Sequence, residues 1–213
     1  MAKKRVKIII ERHAQSEGNA KKIVLGHTDL SLTEEGMMQA RITAEHLASE
    51  RIDAIYSSDL KRAYASALPH ADMRGLQVVR RTDLREINLG VWDGMHLADI
   101  LSSYSSDFAR RSNKDFVYPE GEGVREASAR LKNAILEIAE RSSDGECALI
   151  VTHSVIIRAF WYDLAGCTAE DMNDAVRYMP NAAYAVLEYQ DGRLYPIVYS
   201  VSEHLPHTDV KPI

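Results

Sequence analysis

A chain of 213 residues with 46% hydrophobic content has room for one sizeable core and reads as a packed globular protein rather than a disordered one. Its formal net charge of -5 leaves no overall basic footprint, which argues against nucleic acid or an anionic membrane surface as partner. Cys147 and Cys167 are too few and too far apart for a disulfide framework or a Cys-x-x-Cys site, so both read as buried thiols of a reducing cytoplasm.

From the N-terminus, the basic start is followed by an apolar run of only Ile8 to Ile10, short of a signal segment or a membrane span, so a soluble cytoplasmic protein is expected. Lys7 to Arg12 reads as a buried strand ending on His13, and the polar stretch Gln15 to Asn19 as a loop. Ser31-Leu32-Thr33-Glu34-Glu35 carries a capping signal, with Met37, Ala40, Ala44 and Leu47 at helical spacing behind it. Asp53 to Ser57 predicts a second strand, and Ser58-Asp59 cap a helix that places Arg62 in its first turn and stops at Pro69. Gln77 to Val79 is a third strand candidate, leading to Leu84-Arg85-Glu86-Ile87 and a turn at Gly90 to Gly94. Met95 to Gly123 has no clean periodicity and reads as a lid over a crevice. Val124 to Arg141 is helical, with Val124, Ala127, Leu131, Ala134, Ile135 and Ile138 on one face. A second apolar run, Ala148 to Thr152, again ends on a histidine, His153, and a helix from Ser154 to Leu164 closes at Gly166. Ala182 to Tyr189 and Leu194 to Ser200 flank Asp191-Gly192 as a hairpin.

In a parallel sheet, ligands sit beyond the carboxyl ends of the strands. Arg12, His13, Arg62 and His153 each lie at or just past a predicted strand end, so one sheet edge collects two guanidiniums and two imidazoles. That set suits an anion, and a phosphoryl group is its natural occupant, because the guanidinium fork matches phosphate oxygens and helix starts add backbone donors. The alternative is a pair of satisfied core histidines beside surface arginines, a reading that weakens as the coincidences at strand ends accumulate.

Arg12-His13-Ala14-Gln15-Ser16-Glu17-Gly18-Asn19 resembles the Arg-His-Gly-x-Ser/Thr-x-x-Asn signature of the histidine phosphatase superfamily, also called the phosphoglycerate mutase-like family. Asp29 to Gly36, Ser57-Ser58-Asp59-Leu60-Lys61-Arg62-Ala63, Leu84 to Gly90 and Thr152-His153-Ser154 are similar to its other motifs, so the likeness runs from about Ile8 to Ile157. The departures are Ala14 for Gly, Ser31 for Pro, and Gly123 where a Gly-Glu-Ser motif ends in Ser. The resemblance implies an α/β fold: a three-layer α/β/α sandwich with a mostly parallel central sheet, residues 1–213 as a single domain and 95–123 as a lid insertion.

It further implies that His13 is a nucleophile forming a phosphohistidine, that Arg12, Arg62 and His153 neutralise the phosphoryl oxygens, and that Glu86 is the proton donor. Ser16, Asn19 and Ser154 are implied as neutral substrate-binding donors. Imidazole chemistry agrees, since a neutral ring offers a lone pair near pH 7 and covalent catalysis splits one hard transfer into two easier ones. No metal or other cofactor is expected: the sequence lacks His-Glu-x-x-His, a paired-Asp loop with Gly, and Gly-x-x-x-x-Gly-Lys. His27, His46, His70, His96, His204 and His207 are scattered, with His204 and His207 reading as a solvated tail. Arg110, Arg111 and Lys114 are candidates for a second acidic group on the substrate, or a solvated charge cluster. The expected function is a phosphomonoester hydrolase for a small phosphorylated metabolite, possible homodimer included. Phosphoglycerate mutase and an inactive phospho-ligand binding protein are the alternatives.

Overall fold

The computed structural model describes residues 4–166 and 179–206. Among these, six strands form one sheet in the order β3-β2-β4-β1-β5-β6, with β1 Arg5–Arg12, β2 Ala54–Ser58, β3 Val78–Arg81, β4 Cys147–Thr152, β5 Tyr184–Gln190 and β6 Arg193–Val201. β3, β2, β4 and β1 run parallel, and β5 and β6 complete the sheet as the expected antiparallel hairpin. Asp191 and Gly192 both take positive φ, 47° and 84°, as a tight hairpin turn requires.

The alternation along β1 sets the layers. Ile8 and Ile10 join a cluster with Leu131, Ile135, Ile138, Ile157 and Phe160 of helices α6 (Val124–Arg141) and α7 (Ser154–Ala165). Ile9 faces the other way, toward Ala63, Ala67 and Ala71 of α3 (Lys61–Arg74) and Leu47 just past α2 (Glu34–His46). Helices on both faces of a mostly parallel sheet are the expected sandwich.

Several local expectations are revised. The stretch read as a loop contains a one-turn helix, α1 (Glu17–Ala20), because Ser16 and Asn19 close a reciprocal capping box. Met37 is 47% exposed, since α2 buries Gly36, Gln39, Ala40, Thr43 and Ala44 and turns Met37 to solvent. Asp59 does not cap α3; its carboxylate is held by Arg85 in a paired contact at 2.7 and 2.6 Å, and Asp29 accepts from the Lys61 amide instead, at 2.7 Å. Pro69 does not end α3. It removes one N–H, but Ser66, Ala67, His70 and Ala71 around it are buried, and that packing carries the helix to Gly75. The irregular stretch 95–123 forms α4 (Leu97–Ser103) and α5 (Ser105–Arg110), and its Ile100, Phe116 and Tyr118 pack with Trp92 in the main core. Trp92 and Tyr118 meet edge to face with centroids 5.3 Å apart, so the base of this segment is anchored in the core. No helix among the described residues is long and apolar enough to cross a membrane.

Candidate active site

Register brings the two histidines together. β1 pairs with β4 so that Arg12 lies opposite Thr152, and the residue after each strand is a histidine. The rings of His13 and His153 meet edge to face, centroids 5.1 Å apart at 63°. Arg62 reaches the same sheet end from the first turn of α3, which follows β2 on the far side of β4. Arg12, His13, Arg62 and His153 therefore share one edge, as their positions at strand ends require.

His13 is oriented by backbone. Its Nδ1–H donates to the Ala14 carbonyl at 2.7 Å, which leaves the lone pair on Nε2. The Ala14 amide donates to Ser66 Oγ at 2.9 Å, and Ser66 donates to the Arg62 carbonyl at 2.8 Å, tying the loop after His13 to the helix that carries Arg62. One further turn along α3, buried His70 meets buried Glu11 of β1 at 2.8 Å. Alanine is unstrained at position 14, which lies outside the left-handed region that would demand glycine.

Arg62 is 1% exposed and donates through Nη1 to Thr28 O (2.8 Å) and through Nη2 to Gly26 O (2.7 Å). Those carbonyls are held in turn by Asp93, whose carboxylate accepts the amides of Gly26, His27 and Thr28 at 2.8, 3.0 and 2.9 Å. Arg12 Nη1 donates to Met179 O at 2.5 Å.

Glu86 is buried, and its carboxylate accepts three amides: Ile87 (2.9 Å) and Ile156 (2.8 Å) on Oε1, and Val155 (3.0 Å) on Oε2. It thus caps the start of α7, directly after His153. Arg130 pins the Glu86 segment from beneath, donating to the carbonyls of Asp83 and Arg85 at 2.8 and 2.9 Å and forking onto Glu122 at 2.9 and 2.8 Å. Thr152 Oγ1 fixes the Leu84 carbonyl at 2.7 Å.

The neutral donors fall into two groups. Ser16 is committed to capping α1, its hydroxyl and amide both meeting Asn19 Oδ1 at 3.0 Å. Asn19 spends that oxygen on Ser16 and on Asn181, which leaves Nδ2 as its remaining donor. Among the described residues the Ser154 hydroxyl and both nitrogens of His153 are buried with no hydrogen-bond partner, which leaves them available to a ligand. Asn181, Asp93, Ser66 and Arg130 escape sequence reasoning. Asn181 Nδ2 bonds the His13 carbonyl and Asn19 Oδ1, both at 3.1 Å, and its only sequence signal is an Asn before a strand. Asp93 reads simply as a turn residue.

Electrostatics follow burial. His13 and His153 lie well below the usual imidazole range, first because burial penalises charge and then because Arg62 is close to both; the Ala14 carbonyl only partly offsets this for His13. Both rings are neutral near pH 7. Burial raises the Glu86 carboxyl, against the opposing pull of its three amides and Arg62.

Other expectations find different places. Arg110 pairs with Asp107 on the surface, Arg111 stacks on the Phe108 ring at 3.5 Å, and Lys114 lines a groove with Val124, Lys132 and Asp163 between α6 and α7. His204 is no solvated tail: it stacks on His46 at 4.3 Å and donates to Thr43, whose hydroxyl is spent on Ala182 O. Cys147 is buried, its thiol pushed up to about 11, while Cys167 and His207 lie outside the described residues. Among the described residues no group of three or more His, Cys, Asp or Glu is placed to hold a metal ion.

Comparison with known proteins agrees with this geometry. The family described as histidine phosphatase superfamily (branch 1) matches residues 8–200. "Phosphoserine phosphatase 1" of Hydrogenobacter thermophilus is 32% identical over 203 residues, 94% of each chain. "Phosphoglycerate mutase-like protein 4" of Arabidopsis thaliana is 31% identical, covering 94% of this chain and 87% of its own. A mycobacterial glucosyl-3-phosphoglycerate phosphatase structure superposes with a TM-score of 0.82 at 28% identity, covering 93% of this chain and all of its own. With two histidines, two arginines and a buried glutamate gathered at one sheet edge and a family match across nearly its whole length, the chain belongs to the histidine phosphatase superfamily.

Proposed function

We propose that this protein is a phosphomonoester hydrolase for a small phosphorylated metabolite, working through a phosphohistidine on His13 without a metal. The observation that carries it is the His13 ring: its Nδ1–H is given to the Ala14 carbonyl, which leaves the lone pair on Nε2, and Arg12 and Arg62 lie close enough, with burial, to disfavour its protonation. In the first step that lone pair attacks phosphorus in line, the N–P bond forms, and the ester P–O bond breaks as Glu86 gives its proton to the leaving oxygen. In the second, Glu86 takes a proton from water, the resulting oxygen attacks phosphorus, the N–P bond breaks and phosphate leaves. Arg12, Arg62 and His153 meet the nonbridging oxygens, where a loose transition state spreads its charge. Asn19 Nδ2 and the Ser154 hydroxyl add neutral donors, and Ser16 acts by holding Asn19.

Retention of the proton donor Glu86 with the four cationic or imidazole groups supports turnover over ligand binding alone. The named relatives include phosphatases of phosphoserine and of glucosyl-3-phosphoglycerate, so small phosphomonoesters of this kind are the first substrates to test. A mutase-like relative keeps phosphoglycerate mutase as the second reading. Residues 95–123, anchored at their base, act in this reading as the lid of a single domain. A cytoplasmic location and a homodimer belong to it as well. Phosphate release from a panel of phosphorylated metabolites tests it, with 3-phosphoglycerate and its bisphosphate included. Isomerisation without phosphate release would establish the mutase, and no turnover of any ester would leave only a binding protein.

A further inference from the structure

The peptide joining Ala14 to Gln15 has both polar groups engaged. Its carbonyl accepts His13 Nδ1–H at 2.7 Å, and its N–H donates to Gln39 Oε1 at 3.0 Å. Gln39 lies on the buried face of α2 and is 3% exposed, and its Nε2 donates to Glu35 Oε1 at 3.3 Å. Three donors therefore point the same way, from imidazole through a peptide and a primary amide to a carboxylate.

We propose that Gln39 is a positioning residue for the nucleophile: by holding the Ala14–Gln15 peptide it fixes the carbonyl that sets the orientation and tautomer of His13. This rests on His13 as the nucleophile. A neutral imidazole exists as two tautomers, and only the one protonated on Nδ1 keeps a lone pair on Nε2. The Ala14 carbonyl selects it, provided the peptide plane does not tilt. As Nε2 bonds to phosphorus the ring gains positive charge, and aligned amide dipoles leading to Glu35 favour that charge cooperatively. A buried amide costs free energy unless bonded, and Gln39 lies on the buried face of α2 with Ala40, Thr43 and Ala44. Its amide is explained by these bonds.

The rest of the contact is independent of Gln39. The first turn of α2 lies so close to Gln15 that a Cβ on Gly36 would fall 2.0 Å from its carbonyl oxygen, and the Thr33 amide donates to that same oxygen at 3.0 Å. Loss of the Gln39 acceptor therefore frees one end of the peptide without undocking the helix.

Gln39→Met keeps length and removes the acceptor; Gln39→Glu combined with Glu35→Gln restores an acceptor oxygen and keeps an amide donor between the two side chains. The expected result for Gln39→Met is a fall of about 10- to 100-fold in the rate of His13 phosphorylation by p-nitrophenyl phosphate, the scale typical when an orienting partner is lost. Inhibition by inorganic phosphate should change by less than about threefold, since binding groups are untouched. The double variant Gln39→Glu with Glu35→Gln should recover most of the rate. Nitrogen-15 NMR of the His13 ring gives a readout that a purely structural role would not move: one Nδ1-protonated tautomer in the wild type, and a mixture in Gln39→Met. An unchanged tautomer and phosphorylation rate in folded Gln39→Met would overturn the proposal. If the wild type forms no phosphohistidine, the nucleophile assignment fails instead, and the NMR comparison still decides whether Gln39 sets the tautomer. Should Gln39→Met not fold, Gln39→Asn, a methylene too short to reach the Gln15 amide, carries the same test.

Discussion

The carboxylate of Glu86 accepts the amide of Ile156 at 2.8 Å, so the proposed proton donor is also the cap of the helix that begins after His153. In the proposed mechanism one side chain thus serves chemistry and scaffold together, and the two roles separate by substitution. In Glu86→Gln an amide NH₂ would face the Val155 or Ile156 donor, leaving a buried amide unpaired at a cost of about 1–3 kcal/mol in stability. Its catalytic effect should depend on the leaving group. An alkyl phosphate needs the proton and should lose about 10²- to 10⁴-fold in kcat/KM, while p-nitrophenyl phosphate, whose leaving group departs readily as an anion, should lose far less. Equal losses on both substrates would reduce Glu86 to its capping role. Glu122 is poorly placed to take over, because its carboxylate is forked onto Arg130.

His13→Ala should abolish turnover. Rapidly quenched reactions with labelled substrate should yield an acid-labile, base-stable phosphoprotein in the wild type and none in the variant. His13 is buried at the end of a strand, outside the apolar clusters, so circular dichroism should show the fold retained. Activity above about a few per cent of wild type would exclude His13 as the nucleophile.

Turnover should survive dialysis against EDTA and be inhibited by vanadate, whose five-coordinate geometry resembles the in-line transition state. In the proposed scheme two guanidiniums and His153 supply the positive and polar contacts that a metal gives other phosphoryl-transfer sites. Activity lost to EDTA and restored by Mg²⁺ or Zn²⁺ would replace the phosphohistidine scheme with metal-assisted hydrolysis.

Stability should respond to pH through the buried imidazoles. In the unfolded chain each histidine takes up a proton as pH falls through about 6.5, whereas His13 and His153 in the fold resist it, chiefly through burial. The unfolded state therefore binds more protons, and stability is lost as pH drops below that value, by up to about 1.4 kcal/mol per pH unit for each histidine. Glu11 and Glu86, whose carboxyls burial raises, act in the opposite sense, favouring the fold as pH falls through their raised values. His153→Asn removes one histidine's share and leaves the glutamates in place. Its Tm should fall less steeply than that of the wild type between about pH 6.5 and 5, and parallel curves would show that His153 is not held neutral.

Much of this arrangement is legible in the residues themselves. Apolar runs Ile8 to Ile10 and Ala148 to Val151, each closed by a histidine, determine parallel strands whose ends meet, because a β-branched run buried on both faces has little alternative. The helix Val124 to Arg141 and the Asp191-Gly192 hairpin follow from spacing and turn chemistry alone. Local signals fail where a distant partner outbids them. Asp59 is drawn from its cap by Arg85, Pro69 is carried inside α3 by burial on both sides of it, and His204 is taken from the tail to stack on His46.

The motif residues proposed to meet the phosphoryl group are thus written in the sequence, since their chemistry is their own. What orients them is not: Asp93 behind Arg62, Arg130 beneath Glu86, Asn181 on His13, and Gln39 on the Ala14–Gln15 peptide act through hydrogen bonds to backbone atoms remote in sequence. A side chain that recognises a peptide group leaves no pattern at its partner's position, because every residue carries the same amide. Only the tertiary structure, by bringing those segments within about 3 Å, decides which polar residues hold the site.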